Sequence, residues 1–199
     1  MAAFLSNLRN VVIAGFVLAL IVLAIHWSQT GVVLDQPFWA FIVRWLHIIS
    51  GVMWIGLLWY FNFVSTPTMP KIPAELRPAL GKFITPAALF WFRWAAMSTI
   101  VMGVILALIH DELWQGLTLG LIDHAWRSTV IGIGMWLGTI MWFNVWFIIW
   151  PNQQKILGIV QADADAKKEA ARMAGMASRI NTMLSIPMLF GMAGAMHLV

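Results

Sequence analysis

Apolar residues fall in five long runs separated by short polar stretches, and none of the runs alternates with the period of two expected of a half-buried strand. The runs extend from about Val11 to Trp27, Trp39 to Tyr60, Trp94 to His110, Thr129 to Trp150 and Ile180 to residue 198. Each is close to the roughly 20 residues that an α-helix needs to cross the hydrocarbon layer. Pro67, Pro70, Pro73 and Pro78 mark the segment after the second run as a loop, and Pro151 is expected to close the fourth helix. The stretch Trp114 to Ile122 is too short to span and reads as an interfacial or re-entrant turn. Arg9 heads the first run and His26-Trp27-Ser28-Gln29-Thr30-Gly31 follows it without a small-x-small cleavage site, so it reads as a retained helix. Gln161 to Ala177 reads as an Ala-rich, charged cytoplasmic helix leading into the fifth run. The expectation is an all-α chain, a single transmembrane helical domain over residues 1–199 with about five spans.

Composition agrees with that pattern. Of the 199 residues 61% are hydrophobic and only 10% charged, with a mean hydropathy of +0.84. Soluble domains carry about 25% charged residues, so this chain cannot coat itself against water. The basic residues are segregated. With the N-terminus inside, the inner segments hold Arg9, Lys71, Arg77, Lys82, Arg93, Lys155, Lys167, Lys168, Arg172 and Arg179, ten of the twelve Lys and Arg. Arg127 lies outside, as do Asp35, Asp111, Glu112 and Asp123, and Arg44 lies within the second helix. The positive-inside rule then gives N-in, C-out, in a bacterial inner membrane. The basic pI of about 10.0 reflects membrane orientation, and no nucleic-acid partner is expected. Seven of the 13 Trp (Trp27, Trp39, Trp59, Trp94, Trp114, Trp126 and Trp150) fall near span ends, where indole partitions.

With no cysteine, thiolate metal sites, iron–sulfur clusters and covalent haem c attachment are excluded, and any cofactor relies on His, Met or carboxylate. In this topology all five His fall at or beyond the membrane centre on the outer side. His47 is the one inside a span, and an intramembrane ionisable group marks a cofactor, a proton path or a helix contact. Arg44 lies one turn outward and is suited to a porphyrin propionate. Gly51 lies one turn inward and offers room for a flat macrocycle, and Ser50 is placed to accept the imidazole N–H. These residues point to haem b on His47, with His197 as the leading second ligand and Met188 or Met192 as substitutes. The competing reading makes His47 and Gly51 helix-packing residues. A weaker metal candidate is His110-Asp111-Glu112 with Asp123-His124 across the outer turn. Asn62, Thr139, Asn144, Asn181, Thr182 and Ser185 are expected to bond between helices. Gly134 and Gly138 form a small-xxx-small contact for a neighbouring helix or a second protomer.

The run Arg44-Trp45-Leu46-His47-Ile48-Ile49-Ser50-Gly51-Val52-Met53-Trp54-Ile55-Gly56 resembles the opening motif of the membrane domain at the N-terminus of bacterial membrane-bound urate oxidases (urate hydroxylases). Alone it is similar also to haem-containing protoporphyrinogen oxidases and bacterial copper-resistance membrane proteins. Three further stretches carry the likeness: Trp91-Phe92-Arg93-Trp94 with Ser98-Thr99; Gly138-Thr139-Ile140-Met141 through Asn144 to Pro151-Asn152-Gln153; and Asn181 through Leu184, Pro187 and Phe190 to His197. The resemblance implies a helical inner-membrane domain, usually of eight spans, that delivers electrons to a periplasmic cytochrome c. Here about three spans fewer are seen and no cytochrome c domain, and Gly132 and Ile180 stand where the pattern tends to carry His. The expected function is a haem b electron-transfer protein, in the lipid bilayer beside a periplasmic cytochrome c or a larger redox complex, with a homo-oligomer as a further expectation. The alternatives are a non-enzymatic accessory subunit and an oxidase of urate or a similar small substrate.

Overall fold

The computed structural model describes residues 2–31 and 33–197. It is all-helical among these residues. After a single turn, Ala2–Leu5, come α1 (Leu8–Thr30), α2 (Gln36–Lys71), α3 (Arg77–Ile109), the short α4 (Leu113–Leu117), α5 (Trp126–Ile156) and α6 (Ala164–His197). The chain forms two compact units, one up to Trp39 and one from Ala40 onward. Four helices, α1, α2, α3 and α5, are long and apolar enough to cross a membrane. The fifth expected span is the C-terminal half of α6, which is continuous with the charged helix expected at 161–177. Residue 198, its expected last position, lies outside the described residues.

α1 begins at Asn7, whose side-chain oxygen accepts from the backbone N–H of Arg9 (3.0 Å) and Asn10 (3.4 Å), satisfying two of the donors that a helix start leaves orphaned. It ends at Gly31, with φ of 79° and its N–H on the Trp27 carbonyl.

The second to fourth expected helices are all longer than their apolar runs, because the prolines do not stop them. Each of α2, α3 and α5 contains a wide π-helical turn, at Tyr60–Ser65, Leu80–Ile84 and Asn144–Ile149. Each of these turns is followed at the second residue by a proline: Pro67, Pro86 and Pro151. In an α-helix a proline ring strikes the carbonyl four residues back and leaves it without a donor. Here that carbonyl belongs to Phe63, Lys82 or Phe147, inside the wide turn, where bonding runs to the fifth residue and the α-type donor is not required. The helix therefore continues through the proline. Pro151 does not close the fourth helix, which runs on to Ile156, and Pro67 and Pro70 lie in helical turns instead of a loop. The α2–α3 connection shrinks to residues 72–76, where Arg77 donates to the carbonyls of Ile72 (2.8 Å) and Pro70 (3.0 Å).

The core of the second unit lies where α2, α3 and α5 meet α6. Trp54, Leu58, Ala96, Met141 and Val145 are almost wholly buried there. α6 presents an unbroken stripe of buried residues, small or polar apart from Met188: Ala170, Ala174, Ala177, Asn181, Ser185, Met188, Gly191 and Ala195. Spacings of three and four keep the stripe on one face. Against its upper half α5 packs backbone to backbone. A Cβ added to Gly191 would lie 3.0 Å from both the Gly134 nitrogen and the Val130 carbonyl oxygen, so Gly134 does face a neighbouring helix, and the neighbour is α6.

The middle of the stripe is held by polar bonds. Asn144, at the start of one π turn, donates to the Asn181 side-chain oxygen (2.8 Å), and Asn181 donates to the Met141 carbonyl (2.9 Å). Asn62, in another π turn, donates to the Ser178 hydroxyl (2.8 Å), and the Trp59 indole donates to Ser185 (2.9 Å). Four of the six expected interhelical residues thus bond between helices. Thr139 and Thr182 donate instead to the carbonyls of Met135 and Ser178 within their own helices.

Asn181→Ala strands the Asn144 amide and removes the donor to Met141, both in a dry site. Its expected cost is about 1–3 kcal/mol, above the ~0.6 kcal/mol average of single intramembrane bonds, read by denaturant unfolding in detergent. Gly191→Ala should lower the melting temperature because backbone atoms meet the new methyl. Gly138→Ala meets only the Met188 Cγ at 3.9 Å and should leave it unchanged or higher.

Candidate functional site

The expected site residues Arg44, His47, Ser50 and Gly51 sit on one face of α2 and meet α3 running the opposite way. The contacts climb in order. Ser50 shares a 2.8 Å hydrogen bond with Ser98 and also donates to the Leu46 carbonyl (2.8 Å). A Cβ on Gly51 would lie 3.9 Å from the Thr99 methyl. The His47 Nδ1 lies 2.9 Å from the Thr99 carbonyl oxygen. Arg44 donates through Nη2 to the His110 Nε2 at 2.8 Å.

The His47 contact fixes the imidazole. A carbonyl only accepts, so Nδ1 carries the proton and the Nε2 lone pair is left free. The sequence reading gave this N–H to Ser50. The structure gives it to Thr99, because the Ser50 hydroxyl is already engaged by Leu46 and Ser98. Gly103 makes the contact feasible. It is four residues past Thr99, so its side chain would stand beside that carbonyl, and a Cβ there would lie 3.0 Å from the imidazole Cε1 and 3.3 Å from Nδ1. Thr99 and Gly103 are partners of His47 that sequence reasoning missed. Their one available signal is a small residue four positions beyond a hydroxyl residue on an otherwise bulky helix.

The remaining expected groups are distributed differently. Gly51 faces Thr99 at ordinary van der Waals distance, so its space is taken by helix packing. The guanidinium of Arg44 is engaged by His110, whose Nε2 accepts and so bears no proton in this bond. His197 is exposed at the last residue of α6. The outer acidic set does not assemble: among the described residues no three His, Asp or Glu side chains come together as a metal-binding group. Glu112 pairs with Arg127 at 2.8 Å, and Asp123 accepts from the Ser128 hydroxyl and the Ala125 N–H. Asp111 and His124 occupy the left-handed region, with φ of 54° and 52°, as turn residues do.

Gly132 has a plain structural reason. α5 crosses α4 there so closely that a Cβ on Gly132 would collide with the Gly116 carbonyl, and a histidine has no room.

The Ser128 bond, with smaller help from backbone N–H groups, holds the Asp123 carboxyl below its ordinary range. A depressed carboxylate contributes stability that is present above its unfolded pKa of about 3.9 and is lost as pH falls through the folded value. Ser128→Ala should raise the Asp123 pKa toward the ordinary value, read by carboxyl ¹³C NMR titration. An unmoved titration would refute the Ser128 assignment.

Comparison with curated proteins and with solved structures gives no match. The Arg44–His47 motif and α3 precede the stretch that a known family covers. Residues 122–198, from the end of the outer turn through α5 and α6 and including Gly138 to Met141, Asn144, Pro151-Asn152-Gln153 and Asn181, match the family described as Urate oxidase N-terminal.

Proposed function

We propose that this chain is a multi-pass bacterial inner-membrane protein that holds haem b through the His47 Nε2 and passes electrons outward to a periplasmic cytochrome c or a larger membrane redox complex. The observation that carries the reading is the His47–Thr99 bond, which leaves Nε2 as an oriented, unprotonated donor atom on an apolar helix. Haem-ligating and metal-ligating histidines are commonly fixed in this way, the second nitrogen donating to a carbonyl. Support for the membrane comes from four helices of sufficient length and from an outer surface rich in exposed apolar side chains, among them Val52, Trp91, Leu108, Phe147 and Phe190.

Two features of the His47 ring support the group there, although the space at Gly51 is filled by α3. Gly103 leaves room for the imidazole Cε1 and Nδ1 beside α3, and the Thr99 carbonyl, whose own helix holds it in place, keeps the tautomer from switching. Bound haem would supply an iron that cycles between ferrous and ferric states, tuned by its ligands and its dry surroundings. Arg44 is the proposed propionate partner and would exchange its His110 acceptor for the carboxylate. His197 is the proposed second ligand. The family match is what connects this reading to urate oxidases, and oxidation of urate or a similar small substrate is the wider proposal.

A rival reading, a non-enzymatic accessory subunit, draws on the same bond, because His47 to Thr99 also ties α2 to α3. The two separate in an absorption spectrum of detergent-purified protein expressed with haem supply. Electron transfer predicts a Soret band and an α band that sharpens with dithionite, both lost in His47→Ala. Absence of the bands from the parent protein, or their retention in His47→Ala, refutes the assignment. Gly103→Val should reduce haem content by pushing the imidazole from its carbonyl. Urate-dependent reduction of the haem would add the oxidase activity.

A further inference from the structure

Arg93 lies in mid-α3 with no anion beside it. Its guanidinium stacks on the Trp150 ring at 3.6 Å and lies 5.3 Å from the Trp146 ring, which Trp94 meets edge-on at 5.5 Å. Stacking satisfies the flat face of the guanidinium only. All five N–H groups lie in its plane and still need acceptors. Arg93 Nε and Nη1 are dry and have no hydrogen-bond partner, and the neighbouring Trp146 Nε1 is in the same condition. Nη2 is not among the dry atoms. Nε and Nη2 form one side of the guanidinium fork, a two-pronged donor whose Nε prong is buried and unmet.

The chain itself offers no counter-charge. Its eight acidic residues are Asp35, Glu75, Asp111, Glu112, Asp123, Asp163, Asp165 and Glu169, none of them within an apolar run. The ion pairs among the described residues are Arg127–Glu112 and Arg172–Glu169. A half-buried cation in a dry setting with orphaned donors is costly unless an acceptor arrives from outside the chain. Its depth indicates which kind. Arg93 precedes the end of α3 by sixteen residues, about 24 Å at 1.5 Å per residue, against a hydrocarbon layer of about 30 Å. With the His110 end outside, the Arg93 backbone lies about 6 Å short of the inner boundary, a distance its long side chain can span to reach phosphates of the cytoplasmic leaflet. Trp146 and Trp150 come from the inner part of α5, with Lys155 just beyond.

We infer that Arg93, stacked on Trp150 beside Trp146, binds an anionic phosphate from the cytoplasmic side through its in-plane guanidinium N–H groups. This rests on the membrane reading above and does not depend on haem. The shared chemistry is a phosphate oxyanion, supplied by an acidic phospholipid headgroup or by free phosphate. The indoles exclude water from one side of the pair, which strengthens it relative to an exposed Arg.

Native mass spectrometry of the delipidated full chain, titrated with phosphatidylglycerol or phosphatidylcholine, tests the site. The wild type should retain one phosphatidylglycerol in preference to phosphatidylcholine. Arg93→Gln should bind it roughly tenfold more weakly, and Arg93→Lys, which keeps the charge but loses the fork, should fall between. If Arg93→Gln does not fold, Arg93→Lys alone carries the comparison. Competition by excess inorganic phosphate identifies free phosphate as the source, and its failure identifies the lipid. Equal retention by wild type and both variants overturns the inference. Alkaline carbonate washing of membranes tests the underlying reading separately. Release of the protein refutes the membrane placement, whereas retention with equal lipid binding refutes this site alone.

Discussion

The amide pair of Asn144 and Asn181 sets the terms for the rest of the second unit. Both side chains are buried, and each has donors and acceptors that cost free energy unless they are met within the protein. Meeting them fixes the rotation of α5 against α6, because a rotation of one residue, 100°, would aim Asn181 away from both Asn144 and the Met141 carbonyl. Once α6 is fixed in rotation, its small-residue face is also fixed. Gly191 then meets Gly134, and Ser178 and Ser185 meet Asn62 and Trp59 from α2. Apolar contacts alone would not set this register, since they carry no direction.

The wide turns are part of the same constraint. Asn62 and Asn144 both lie in π turns, and both reach α6. A π turn carries one extra residue relative to the α register, which swings the following segment and widens the local groove. The proline after each turn opposes reversion, because restoring α bonding would return the ring to a carbonyl four residues back that needs a donor. Proline here stabilises a particular defect in a continuing helix. That also explains why Pro67 and Pro151, read as stops from the chain alone, became interior residues: a helix stop and a π turn followed by a proline present the same local sequence, and only the bonding partner of the displaced asparagine separates them.

What the sequence made legible follows from how locally each feature is encoded. The apolar runs and the all-helical class depend on neighbouring residues only, and each run falls on a helix, though α2, α3 and α5 extend past theirs. The pairing of His47 was half legible. An imidazole in an apolar run requires a partner, but the choice between Ser50 on its own helix and Thr99 on another depends on how α2 and α3 cross. That crossing is set by absences, at Gly51 and Gly103, which carry no chemical label. Gly132 illustrates the same limit, since a position where the likeness favoured histidine is occupied by a backbone contact with Gly116. The outer carboxylates looked like a ligand set because they are close in sequence, yet Glu112 and Asp123 turn to Arg127 and Ser128, partners beyond the cluster.

α3 shows how a low-dielectric setting sorts polar groups into those that hold structure and those that remain available. At Thr99 and Gly103 the helix lends a carbonyl to His47, which satisfies one ring nitrogen and leaves the other free. Six residues earlier Arg93 has its face covered by indole while its in-plane donors stay unmet. Ser98 lies between them and is wholly spent on Ser50. Satisfied pairs such as Ser50–Ser98 contribute specificity of packing and offer nothing to a ligand. Groups satisfied on one side only keep a defined orientation together with unused bonding capacity, which is the condition for binding. Beside α3 this leaves an oriented acceptor, the His47 Nε2 held by the Thr99 carbonyl, and on α3 itself an oriented cationic donor at Arg93. A free nitrogen lone pair suits an electrophile and free N–H groups suit an oxyanion, so the two unmet groups differ in the chemistry they could accept.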